Sequence, residues 1–157
     1  VRLLQVLLEK KYNVKATFER LHAGINDHAG YDAVLLIGDE ALRRNRFGLS
    51  GFEIVYDLAK EWYDWKKMPF VFAVWAVATS LPPESRAELG TIIDQALAGS
   101  EGSYGEIGAL RGRSLGLTVP EVEQYLEGFN FRLGDREREA MKEFRKLVFD
   151  LDNVLIK

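Results

Sequence analysis

The chain has no cysteine and only two histidines in 157 residues. Disulfides, thiol nucleophiles and thiolate-bound metals are therefore excluded. The two imidazoles, His22 and His28, sit on either side of Asp27 in the glycine-punctuated loop HAGINDHAG. Their i, i+6 spacing on a loop fits no standard zinc pattern, so a solvated loop is expected and no metal site. Long apolar runs are missing as well: none approaches the roughly 20 residues of a membrane span. The N-terminus lacks the basic region, apolar core and small-residue cleavage site of a secretory signal. Basic residues are dispersed and the net charge is −3, which leaves no electrostatic footprint for nucleic acid. No GxSxG, P-loop, GxGxxG or HExxH signature is read in the chain. These absences lead to the expectation of a cytoplasmic globular protein with neither membrane nor nucleic acid as partner.

What is present is ordinary globular material. Apolar residues make up 47% and charged residues 29%, enough for a sizeable core and too apolar for disorder. The opening VRLLQVLLEKKY is already helical in period, with Leu3, Leu4, Leu7 and Leu8 on one side. No initiator methionine and no capping residue precede it, although helices need a cap or a turn for their first amides. The expectation is a chain that starts inside a longer protein; disordered leading residues would look the same.

Strands and helices then alternate in the pattern. VKATFE alternates as a half-buried strand, and YDAVLLIG is a continuous apolar run of the kind parallel sheets bury on both faces. FEIVYDL reads as a short strand or as the start of the helix LAKEWYDWKK, whose Leu58, Trp62 and Trp65 share a side. FVFAVWAVA is the most β-like run in the chain. Pro82-Pro83 opens a helix with Ile92, Ile93, Ala96 and Leu97 inward, ending near Gly99. GSYGEIGALRGRSLGL is a weak helix, and Thr118-Val119-Pro120-Glu121 a capping box in front of EVEQYLEGF. FNFRLG is a short strand, and Asp135 caps a last amphipathic helix carrying Met141, Phe144, Leu147, Val148 and Leu151. The alternation argues for an α/β architecture.

Chemistry concentrates where YDAVLLIG runs into Gly38-Asp39. Ligands of open α/β sheets sit at strand carboxyl ends, where glycine admits close backbone approach. Capping of the helix EALRR is the plainer role for Asp39 and substrate contact the sharper one; the two can coexist. Arg43, Arg44 and Arg46 are weaker candidates for drawing in an anion. The aromatic residues Trp62, Tyr63, Trp65, Phe70, Phe72 and Trp75 are mostly core material. Trp75, on the strand-like run, is the one with a face that could meet a ligand.

Three blocks in this order resemble the chorismate dehydratase family of the futalosine route to menaquinone. Leu35–Leu42 (LLIGDEAL) resembles the family's LLIGD-x-AL junction. Tyr56, Asp57, Leu58 and Trp62 resemble its YDLG-x-x-W segment. Pro69–Ala73 with Trp75 resembles its T-G-L-P-F-V-F-A-x-W strand. NFRLGDRE resembles its C-terminal YxLG segment, with Phe131 in the aromatic place. Two departures stand out: Ala59 replaces a glycine, and Lys66-Lys67-Met68 replaces Thr-Gly-Leu. The chain resembles only the later part of the family.

The resemblance implies an α/β fold of the type II periplasmic-binding-protein kind, two lobes around a cleft, the first lobe incomplete. Residues 1–68 would be most of one lobe, 69–78 a crossing strand and 79–157 the helical remainder of the other. It implies a dehydratase that removes water from chorismate to give 3-[(1-carboxyvinyl)oxy]benzoate, with no cofactor because aromatisation drives the step. Gly38, Asp39, Phe72 and Trp75 would contact this small anionic substrate; no catalytic base is assigned. A homodimer that completes the cleft stays open. The alternatives are a non-catalytic solute-binding protein for small anions and the naphthoate-forming enzyme of the same pathway.

Overall fold

The computed structural model describes residues 1–21, 28, 30–100 and 102–154. Most of the loop HAGINDHAG, including His22 and Asp27, lies outside the described residues. Among the described residues there are seven α-helices: α1 Arg2–Val6, α2 Asp39–Phe47, α3 Leu58–Lys66, α4 Pro83–Ser100, α5 Tyr104–Leu115, α6 Val119–Glu127 and α7 Asp135–Val154. A π-helical turn, Leu7–Lys11, continues α1.

The expected two-lobed α/β fold of the periplasmic-binding-protein type is not what forms. Among the described residues the one β pairing is an isolated antiparallel bridge between Leu49 and Phe52. The runs read as strands (VKATFE, YDAVLLIG, FVFAVWAVA and FNFRLG) are neither helical nor paired. The physical reason is that a helix satisfies its backbone locally, whereas a strand exists only by bonding to a neighbour. β-branched and aromatic side chains report fitness for a pleated, covered surface and supply no partner. Burial agrees: Ile37 is 74% exposed and Trp75 85%.

The described residues form two compact units, Val1–Phe72 with Leu133–Lys157, and Ala73–Arg132. In the first, Leu3, Val6 and Leu7 of the opening helix pack with Trp62 of α3 and Leu151 of α7. Leu58, Trp65, Phe70, Phe144, Leu147 and Val148 close around them, as the helical periodicities of α3 and α7 predict. Trp62 is the hub, fully buried. Its ring meets Trp65, Phe70 and Phe144 edge-on at 5.5–6.1 Å. Its indole N–H donates to the Pro69 carbonyl at 3.1 Å, so no polar atom of this large side chain is left bare. Asp57 caps α3, accepting from the amides of Ala59 and Lys60.

In the second unit α6 packs against α5. Gly108 and Gly112 make the approach possible. A Cβ on Gly108 would lie 3.1 Å from the Val119 backbone, and one on Gly112 only 2.7 Å from the Leu117 carbonyl. Leu115 and Val122 are buried. The capping box forms as expected: Glu121 accepts from the Thr118 amide at 2.8 Å and from its hydroxyl at 2.7 Å. α4 differs from expectation, because it has no buried residue and Ile92 and Ala96 face outward.

Candidate functional site

Gly38 occupies the N-cap position of α2 with φ +69° and ψ −142°, a backbone shape close to the region reserved for glycine. Asp39 is therefore the first residue of the helix. The capping role expected for Asp39 passes to the glycine backbone. Val34, Leu35 and Leu36 leading into the junction are half-buried and Ile37 is exposed, which corrects the doubly buried strand expected there.

The charge at this junction is acidic. Asp39 and Glu40 both lie in the first turn, where the helix dipole favours carboxylates. Glu40 also engages the basic cluster: Arg44 Nε lies 2.7 Å from its carboxylate and Arg43 Nε 3.8 Å. Arg46 lies over the Phe47 ring at 5.7 Å. Two of the three arginines weighed as anion attractors are thus already turned toward Glu40.

Phe72 lies in the first unit, 64% exposed, its ring edge-on to Phe70 at 4.9 Å. Trp75 belongs to the second unit, and among the described residues its ring stacks on no other. His28 sets its ring edge-on to Phe52 at 6.4 Å, and its buried Nδ1 has no hydrogen-bond partner among the described residues. No cluster of metal-ligating side chains occurs among them, and no described helix is long and apolar enough to cross a membrane.

The strongest electrostatic contacts are structural. Glu61 of α3 accepts from Lys11 Nζ at 2.5 Å and from the Tyr12 hydroxyl. These bonds, Lys11 first, hold the Glu61 carboxyl below its usual range, and the same bond to Glu61 raises Lys11. Lys66 of α3 reaches Glu143 of α7 at 2.7 Å and likewise lowers its carboxyl.

Two features escaped the sequence reading. Gly112-Arg113-Ser114-Leu115-Gly116 has the spacing of a nucleophile elbow, yet that motif requires a sharp turn from strand to helix. Here it ends α5, and the Ser114 hydroxyl donates to the Arg111 carbonyl at 2.8 Å. The other is a groove of about 280 Å³ in the first unit, lined by Phe70, Val71, Met141, Phe144 and Val148, with Arg2 and Arg145 at its side. The amphipathic period of α7 was its only signal.

Residues 1–150 match the family described as menaquinone biosynthesis, and the chain belongs to that family. The chorismate dehydratase of Thermus thermophilus is 31% identical to it over 165 aligned positions. The match takes in 94% of this chain and 58% of that protein, so the chain spans less than two-thirds of its relative. The resemblance drawn from the three blocks is borne out at the level of the family.

Proposed function

We propose that this chain serves the elimination of water from chorismate, giving 3-[(1-carboxyvinyl)oxy]benzoate in the futalosine route to menaquinone. The observation that carries the reading is the 31% identity to a chorismate dehydratase across nearly the whole chain. In the reaction a ring C–H gives up its proton and the neighbouring hydroxyl leaves as water. The ring becomes aromatic, so the step needs no redox partner. The protein's task is to hold two carboxylates, orient the leaving hydroxyl and exclude bulk water.

Gly38 and Asp39 are the proposed polar contacts, with Phe72 and Trp75 as apolar ones. The glycine leaves its backbone open, since nothing lies within 4 Å of where its Cβ would be. The acidic first turn suits contact with the substrate's hydroxyl better than with its carboxylates. Asp39→Asn keeps the shape and removes the charge. We expect kcat/KM for chorismate to fall about 10²-fold or more, the scale of a lost proton-handling group, with an unchanged circular dichroism spectrum. An unaltered kcat/KM would remove Asp39 from the site, and a folded wild-type protein that never consumes chorismate would refute the function.

A further inference from the structure

We infer that Trp62 is a positioning residue for the proposed substrate contact at Phe72, acting through the Pro69 carbonyl and the Phe70 ring to hold the Phe72 ring in one orientation. The inference rests on Phe72 being an apolar contact for chorismate, as proposed above, and names what sets that contact.

Trp62, on α3, is fully buried, whereas Phe72 is 64% exposed. Two links join them. The indole N–H donates to the Pro69 carbonyl at 3.1 Å and so fixes the backbone just ahead of Phe70. The Phe70 ring then stands edge-on to Trp62 at 5.5 Å and to Phe144 of α7 at 5.0 Å, and Trp62 and Phe144 meet each other at 5.8 Å. Rings in mutual edge contact within a packed core favour one arrangement over its neighbours. The Phe72 ring rests on that arrangement, edge-on to Phe70 at 4.9 Å with an interplanar angle of 73°. Among the described residues Phe70 is the one ring that Phe72 meets.

Filling the core does not by itself call for this chain of contacts. An apolar ring at position 62 could occupy the space, but it would leave the Pro69 carbonyl without its donor. Phe72, largely in water, gains little from burial, so its orientation comes from Phe70. A ring already oriented spares a bound substrate the entropy of ordering it.

The test joins steady-state kinetics on chorismate to a resonance at position 72, both on the full chain. Trp62→Phe removes the N–H. Leu151→Ala, in the same buried cluster, removes neither link and is the control. Each variant is checked for native circular dichroism. Where Trp62→Phe does not fold, benzothienylalanine at position 62, which keeps the shape and replaces the N–H by sulfur, takes its place. Loss of the N–H should raise KM about threefold to tenfold with kcat essentially unchanged, the scale of one aromatic contact. Leu151→Ala should lower the urea midpoint and leave KM alone. On a Phe72→Ala background Trp62→Phe should raise KM no further, because its route to the substrate is gone. With para-fluorophenylalanine at position 72, the fluorine resonance should move in Trp62→Phe and stay in place in Leu151→Ala.

The inference is overturned if that resonance ignores the loss of the N–H, or if KM rises equally in Leu151→Ala. It is also overturned if the effects of Trp62→Phe and Phe72→Ala on KM add. Phe72→Ala with an unchanged KM would remove the contact itself, and the inference with it. A folded protein that consumes no chorismate refutes the proposed activity alone, because the resonance still decides whether Trp62 sets Phe72.

Discussion

Single residues carry the clearest departures from local rules. Lys67 ends α3 in the left-handed region, φ +57°, where a side chain is strained and glycine is the usual choice. The family pattern resembled by this segment has glycine at that place, so the departure noted in the sequence now has a physical cost. Its Nζ lies 5.8 Å above the exposed Tyr63 ring, a weak return. Lys67→Gly should therefore stabilise the protein by about 1 kcal/mol, seen as a higher urea midpoint with an unchanged slope. A lower midpoint would show that the Tyr63 contact outweighs the strain. Gly38 is the opposite case: its positive φ is occupied by the residue suited to it, and the sequence signalled the position through the abrupt end of an apolar run.

At the scale of elements, the close packing of α5 and α6 rests on glycines. Gly112→Ala would improve helix propensity by up to about 1 kcal/mol. Against this, the new Cβ would stand 2.7 Å from the Leu117 carbonyl, a backbone atom that cannot swing aside. Overpacking of this kind costs about 1–3 kcal/mol, so thermal unfolding should show a net loss.

The links from Glu61 to Lys11 and from Glu143 to Lys66 give a pH prediction with a definite sign. Both carboxyls are lowered from an ordinary 4.5. Their contribution to stability is therefore full above about pH 4.5 and lost as pH falls through the lower folded-state values. The melting temperature should drop on acidification in that window, and Glu61→Gln combined with Glu143→Gln should flatten the drop. An unchanged acid slope would show that other carboxylates set it.

Helices were legible because their signals are local. The capping box at Thr118, the spacing of Leu58, Trp62 and Trp65, and the apolar stripe of α7 each specify structure within a few turns. The strands were misread for the converse reason. VLLIG and FVFAVW have the composition of buried strands, but composition cannot show whether a neighbour is there to bond them. Asp39 was misjudged by one position, since its preference for caps yielded to the backbone freedom of Gly38. The network of Lys11, Tyr12 and Glu61 joins residues about 50 apart in the chain and left no mark in any local pattern.

For the whole molecule, two observations stand together: strand-like apolar sequence that is unpaired and exposed, and membership of a family whose relative in Thermus thermophilus is matched over 58% of its length. The second carries the proposed chemistry. The measurement that bears most directly on that chemistry is mass spectrometry of chorismate incubated with the full chain. The account predicts a product lighter by one water with the ultraviolet spectrum of a substituted benzoate. Chorismate recovered unchanged, from protein shown to be folded, would contradict it.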